Sequence, residues 1–227
     1  MGPLKGIKVL EFSGIGPGPY CGMLLADMGA DVIRVNRIND KDKHNKFDIH
    51  NRSKRSIVAD LKNPNSINEL LKLISSVDVV FEGFRPGVME KLGLGPDECF
   101  KQNEALVYGR MTGWGQDGPM SKMAGHDINY IGLSGALHAI GKKDSNPIIP
   151  LNLIGDYGGG GMMLAMGILA AVISSIKTGK GQVVDSAMID GSLSLMSLFY
   201  SLKEVGFWQD ESCLLYTSDA ADEEAGG

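Results

Sequence analysis

Cysteine is scarce in this chain. Only Cys21, Cys99 and Cys213 occur, spaced too widely to staple a small disulfide fold or to supply a close-set zinc ligand pair. They read as reduced thiols of an intracellular protein. Positive charge is not in surplus either. The formal net charge of -5 excludes a general nucleic-acid binder, so any anionic ligand must be held by a local basic cluster. The N-terminal MGPLKGIKVLEF lacks the continuous apolar core of a secretory signal. Long apolar runs are absent with one exception, GGGGMMLAMGILAAVISSI at residues 158–176. That run is uncharged and approaches the length of a membrane span. Four glycines open it, Asp156 stands just before it and no second span accompanies it, so the expectation is a buried helix of a soluble core.

What is present fits a globular protein: 43% hydrophobic and 22% charged residues over 227, enough for one large domain or two small ones. The order of patterns is regular. IKVLEF, the turn SGIGPGP, YCGMLLADMGA and DVIRV read as strand, turn, helix and strand. SIVADL, NPNSINELLKLISS and DVVFEGF repeat the alternation, with Asn63 and Pro64 as N-cap and first helical residue. A short helix near residues 95–102 and a strand in ALVYGRM follow. Then come AGHDINYIGLSGALHAI, the apolar helix, and a strand and helix in GKGQVVDSAMIDGSLSLMSLFYSLKEV. Strands alternating with helices predict an α/β fold with a parallel sheet covered on both faces. The final residues, 212–227, are small, acidic and without periodicity, and are expected to be a non-native tail.

The glycines of SGIGPGP do not fit a dinucleotide fingerprint, because Gly14, Gly16 and Gly18 are each two apart, with Pro17 between the last two and Pro19 after them. Such a fold also wants an acid at the end of the second strand, where this chain has Arg37. An arginine there suits a phosphate, or is simply an exposed strand-end residue. Lys41, Lys43, Lys46, Arg52, Lys54, Arg55 and Lys62 follow, either as a site for a polyanion such as a nucleotide diphosphate or as a solvated basic face. A single aromatic residue, Phe47, interrupts the cluster, too few for base stacking, which argues against nucleic acid.

In AGHDINY, His126 is either a proton carrier or an ordinary polar residue at a helix mouth. Asp156, in LNLIGDYGGGG, is a second lone titratable group at the entrance to an apolar element, and could equally be an N-cap. The glycines after it permit close approach of a ligand or of neighbouring backbone, and leave N–H groups available to negative charge. Met162, Met163 and Met166 either fill the core or line a pocket for acyl chains.

Taken together, EFSGIGPGPYCGMLLADMGADVIRV, KRSIVADLK, GFRPGVMEKLGLGP, YGRMTGWGQDGP, AGHDINYIGLSGAL, PLNLIGDYGGGGM and GKGQVVDSAMIDG resemble the class III CoA-transferase superfamily, and most closely its racemase branch. The resemblance covers roughly residues 1–211. It implies the class III CoA-transferase fold, with residues 1–211 forming the N-terminal part of a large CoA-binding domain, Rossmann-like and incomplete here, and the start of a connection to a small domain. Transferases of the family usually carry an aromatic residue where this chain has His126, and use an aspartate nucleophile. The racemase pattern instead implies that His126 and Asp156 exchange protons on opposite faces of the α-carbon of a 2-methylacyl-CoA thioester, in lipid metabolism. Gly125, Asp127, Ile128, Asn129 and Tyr130 then lie beside the thioester, with the Asp127 N–H a candidate enolate donor. Arg37, Ala59, Asp60, Leu61 and Lys62 hold the nucleotide end. No metal or other cofactor is implied, since coenzyme A is part of the substrate. The resemblance also implies an interlocked homodimer for a full-length chain, no membrane span, and a peroxisomal or mitochondrial address. The alternatives are a CoA-transferase with Asp156 as nucleophile, or an inactive truncated fragment.

Overall fold

The computed structural model describes residues 2–12, 14–38, 47–142 and 145–208. Lys41, Lys43, Lys46, Cys213 and the tail at 212–227 lie outside the described residues. The first unit is β1 (Lys8–Phe12), α1 (Pro17–Asp27) and β2 (Asp31–Asn36). Helix α1 starts earlier than its apolar pattern suggests because Pro17 occupies the first turn, where its fixed φ suits a helix and its missing N–H costs nothing. β3 (Arg55–Val58), α2 (Pro64–Ile74) and β4 (Val79–Glu82) form the second unit. The expected cap is present: Asn63 Oδ1 accepts the N–H of Asn65 at 2.9 Å. β3 stops at Val58, so the Ala59–Leu61 part of the expected strand is loop.

α3 (Val88–Lys91) and α4 (Pro96–Gln102) precede β5 (Val107–Thr112). The segment after His126 is two short helices, α5 (Asp127–Leu133) and α6 (Ala136–Ala139), divided where Gly135 takes a φ of 77°. A π-helical segment, Leu153–Met162, runs into α7 (Met163–Thr178). β6 (Gln182–Ala187), α8 (Met188–Leu195) and α9 (Ser197–Glu204) complete the described part.

All six strands pair in parallel, in the order β3-β2-β1-β4-β5-β6. The chain winds outward from β1 in one direction, then returns to continue from β4 in the other. In such a sheet the crevice for a ligand opens at the C-terminal ends of the strands, beside β1 and β4. Both faces are covered, which is why a strand such as VVFE is buried along its whole length. Val9, Val79, Phe81 and Val107 pack with Leu25 of α1 and with Leu164 and Ile168 of α7. Leu10, Val80 and Tyr108 pack on the opposite side with Leu70, Ile74 and Met89. Cys21 and Cys99 are buried free thiols, and burial raises the pKa of both, as expected of structural cysteines.

Helix α7 departs from the expectation of a buried helix. Leu164, Ala165, Ile168, Ala171 and Val172 face the sheet, while Met166, Ile173 and Ile176 remain exposed. With the π-helical segment it makes a 26-residue run, Leu153–Thr178, long and apolar enough by length and composition to cross a membrane. One face of α7 packs on β5 and β6.

Two strand acids, Glu11 and Glu82, are almost wholly enclosed by the fold. Glu11 on β1 is fully buried, and its Oε2 meets Lys54 Nζ at 2.6 Å. Lys54 Nζ also donates to the Pro19 carbonyl at 2.9 Å, tying the loop before β3 to the start of α1. Gly22 makes this possible, since a Cβ there would stand 2.1 Å from Glu11 Oε2. Burial raises the Glu11 pKa and lowers that of Lys54, so desolvation takes back much of what the ion pair contributes. At the end of β4, Glu82 accepts Arg110 Nε at 3.2 Å and the Phe84 N–H at 2.6 Å. Burial pushes its carboxyl up to about 7, against the pull of these two donors.

Removing one member of the buried pair should be severe. Lys54→Met leaves Glu11 in the core without its cation and should cost about 3–5 kcal/mol in urea unfolding, with Glu11→Gln/Lys54→Met recovering part of it. A loss within measurement error would contradict the pairing. Glu82 sets a pH dependence of definite sign. Its folded pKa lies above its ordinary 4.5, so its contribution is fully present below about pH 4.5 and is lost as pH rises through about 7. The loss should be of the order of 3 kcal/mol at most. Unfolding at pH 5 and pH 8 should show a steeper decline in wild type than in Glu82→Gln; equal slopes would refute it.

Candidate active site

The sheet gathers the sequence-derived candidates at one edge. Arg37 directly follows β2, and the Ala59 N–H donates to the Asn36 carbonyl at 3.0 Å, so the loop after β3 lies beside it. Within that loop Asp60 Oδ1 accepts the Lys62 N–H at 3.0 Å, and Ala59 and Leu61 pack on the core. Arg37 is exposed, with its guanidinium 5.6 Å from the centre of the Phe84 ring. That arrangement leaves its N–H donors available for an anion.

The rest of the basic stretch is not a free anion site. Arg52 is paired with Asp27, Arg55 with Asp31, and Lys54 is buried against Glu11. Each cation finds a carboxylate far away in sequence, so a local count of charges overstated what a ligand could meet. Among the described residues, Arg37 and Lys62 have no ion pair.

His126 is the exposed N-cap residue of α5, in an extended conformation. Its N–H donates to Asn129 Oδ1 at 2.9 Å, and its carbonyl accepts the Asn129 N–H at 2.8 Å, which fixes the helix entry. Gly125 precedes it because a Cβ there would fall 2.8 Å from the Tyr130 ring and 2.9 Å from Trp114. Tyr130 is buried and meets Trp114 edge-on, with centroids 4.8 Å apart. Burial, then the charges of Asp156 and Asp127, push its hydroxyl up to about 12. Ile128 is exposed beside His126.

Asp156 sits on the π-helical segment, a wide winding that recurs at functional sites. Its backbone N–H donates to Asp127 Oδ2 at 2.7 Å, joining that segment to the first turn of α5. Asp127 thus serves through its carboxylate, a task the sequence reading did not assign to it. Burial raises the Asp156 carboxyl pKa; the Asn152 amide lowers it, the Asp127 charge raises it, and His126 lowers it. His126 is the smallest of these four influences, after burial, Asn152 and Asp127. Gly16, from the first glycine-rich turn, also borders the site, since a Cβ there would lie 3.7 Å from Asp156 Oδ2.

The glycines after Asp156 meet neighbouring chain, the second of the two options open from sequence. A Cβ on Gly159 would lie 2.7 Å from the Ser192 N atom of α8, and one on Gly161 would lie 2.7 Å from the Pro17 carbonyl of α1. Met162 and Met166 are exposed, so neither fills the core as their spacing suggested. Three residues escaped sequence reasoning: Tyr20, His50 and Tyr157. Tyr20 stands edge-on to Tyr157 at 4.8 Å, and the Tyr157 hydroxyl is 3.5 Å from His50 Nε2.

Comparison with known proteins bears on the family and the fold. The sequence model of CoA-transferase family III matches residues 4–209. Alpha-methylacyl-CoA racemase of Mus musculus is 45% identical over 206 residues, covering 91% of this chain and 53% of the relative. Its Homo sapiens counterpart is 46% identical over 208 residues, with the same coverages, 91% and 53%. Succinate–glutarate CoA-transferase of Agrobacterium fabrum is 35% identical over 206 residues, covering 83% of this chain and 51% of the relative. Among solved structures, a CAIB/BAIF family protein from Brucella suis superposes with a TM-score of 0.82 at 31% identity, covering 90% of this chain and 58% of that one. The chain spans about half the length of the curated relatives it matches. On these matches and on its six-stranded parallel sheet, the chain belongs to CoA-transferase family III.

Proposed function

We propose that this chain carries the acid–base half of a racemase acting on 2-methylacyl-CoA thioesters. The observation that supports the reading is the bond from the Asp156 N–H to the Asp127 carboxylate, which sets the half-buried Asp156 against the first turn of the helix that His126 caps. An α-carbon proton is hard to remove, so the reaction needs a base on one face, an acid on the other, and donors for the enolate oxygen. His126, neutral, takes the α-proton, and the C–H electron pair moves into the thioester to form an enolate. Asp156, protonated, returns a proton to the opposite face of that carbon, and the stereocentre inverts. For the other enantiomer the two exchange roles. A raised carboxyl pKa favours the protonated form that this step consumes.

The N–H groups of Asp127 and Ile128 open α5 without intrahelical acceptors and are our candidates for holding the enolate oxygen. Arg37, with the Ala59, Asp60, Leu61 and Lys62 loop, takes the nucleotide end of coenzyme A. In this reading a full-length homodimer encloses the substrate between this domain and the small domain of the partner subunit. Racemase and transferase relatives share the fold, and His126 separates the readings: a proton carrier is needed for racemisation, whereas a transferase needs a nucleophilic carboxylate.

Full-length protein incubated with one enantiomer of a 2-methylacyl-CoA in heavy water should incorporate deuterium at C2 and lose optical purity. His126→Ala and Asp156→Ala should each lower the rate by about 10²–10⁴-fold while keeping the wild-type circular dichroism spectrum. Absence of deuterium, together with a thioester intermediate on Asp156 trapped by hydroxylamine, would reverse the assignment in favour of CoA transfer.

A further inference from the structure

Asp156 is held on two sides. Asp127 takes its backbone N–H from the α5 side. On the other side, the next residue, Tyr157, is enclosed by rings: Tyr20 edge-on at 4.8 Å and His50 at 5.6 Å between centroids. The Tyr157 hydroxyl and His50 Nε2 are 3.5 Å apart. His50 does not arrive there by chance. Its short helical turn, Ile49–Asn51, is capped by Asp48, which accepts the His50 N–H at 3.2 Å and the Asn51 amide at 2.6 Å. Asn51 in turn bonds Arg34 on β2, and Lys54, just beyond, is locked to Glu11 inside the fold. A chain of contacts therefore runs from the sheet to the Tyr157 ring. The Asn152 amide donates to Asp156 Oδ2 at 3.4 Å, and contacts on the flanking residues set the backbone that carries this carboxylate.

We propose that His50 and Tyr157 form a positioning pair for Asp156, a role that rests on the racemase reading above. Neither touches the reacting carbon. Tyr157, held between Tyr20 and His50, sets the backbone direction at residues 155–157, and thereby the placement of the neighbouring carboxyl group relative to His126. Asn152, Asp127, Tyr130 and His126 are the polar and titratable groups that face this carboxyl, and none contacts His50 among the described residues. The pair is an independent second support.

The test uses full-length protein with His50→Phe, Tyr157→Phe, the double variant and His50→Gln. Each Phe variant should lower kcat about 3- to 10-fold with KM within about twofold. The double variant should be no slower than either single one, because both remove the same contact. His50→Gln, which keeps a donor and an acceptor, should restore most of kcat. A second readout needs no turnover: the ¹³C-detected titration of the Asp156 carboxyl should shift in both Phe variants. Multiplying losses in the double variant, a loss confined to KM, or an Asp156 titration identical to wild type would each overturn the positioning role. Failure of the wild-type protein to exchange the substrate's C2 proton would remove the racemase reading instead, and the titration would still decide whether the pair positions Asp156.

Discussion

The hydrogen bond from the Asp156 N–H to the Asp127 carboxylate, 2.7 Å long, joins segments 29 residues apart into one site. It is the polar link between helix α5 and the π-helical segment, which also pack together through Ile131 and Ile154, and it sets Asp156 against the turn that His126 opens. Gly155 shows how close the fit is: a Cβ there would lie 2.7 Å from the same carboxylate oxygen. The bond also brings a negative charge near Asp156, which adds to burial in raising its pKa. One interaction thus contributes both the geometry and part of the electrostatics on which a two-base mechanism depends.

The sheet gives that bond its setting. Parallel strands in the order β3-β2-β1-β4-β5-β6 send every strand's C-terminal end to the same edge. Arg37 and the Ala59–Lys62 loop follow β2 and β3, while Gly16, next to Asp156, follows β1, so the cationic Arg37 and Lys62 share one rim with Asp156. Inside, the Glu11–Lys54 pair and the Glu82–Arg110 pair are buried beneath this edge. Both are costly to desolvate; the first ties the loop before β3 to β1, and the second joins β4 to β5.

Much of this was legible in the sequence because it is local. Alternating strands and helices announced the parallel sheet, Asn63 and Pro64 announced a helix start, and GHDINY with GDYGGGG marked the two titratable groups. What was not legible depends on distant partners. Nothing near Lys54 shows that it will be buried against Glu11, 43 residues away, and nothing near His50 shows that it will meet Tyr157, 107 residues away. The same limitation inflated the basic cluster, since Asp27 and Asp31 occupy Arg52 and Arg55 only once the chain has folded. Spacing also misled at Met162 and Met166: a 3.6-residue period identifies one face of a helix, but not whether that face meets the core.

The two-base account makes a claim about the origin of the incoming proton. In a single turnover in heavy water, with full-length protein in excess over one enantiomer of a 2-methylacyl-CoA, the inverted product should carry deuterium at C2 from its first appearance. That proton comes from Asp156 or His126 on the face opposite to removal, and both groups equilibrate with solvent before substrate binds. Inverted product that keeps the original protium would mean that one group carries the same proton across both faces, and would contradict the account.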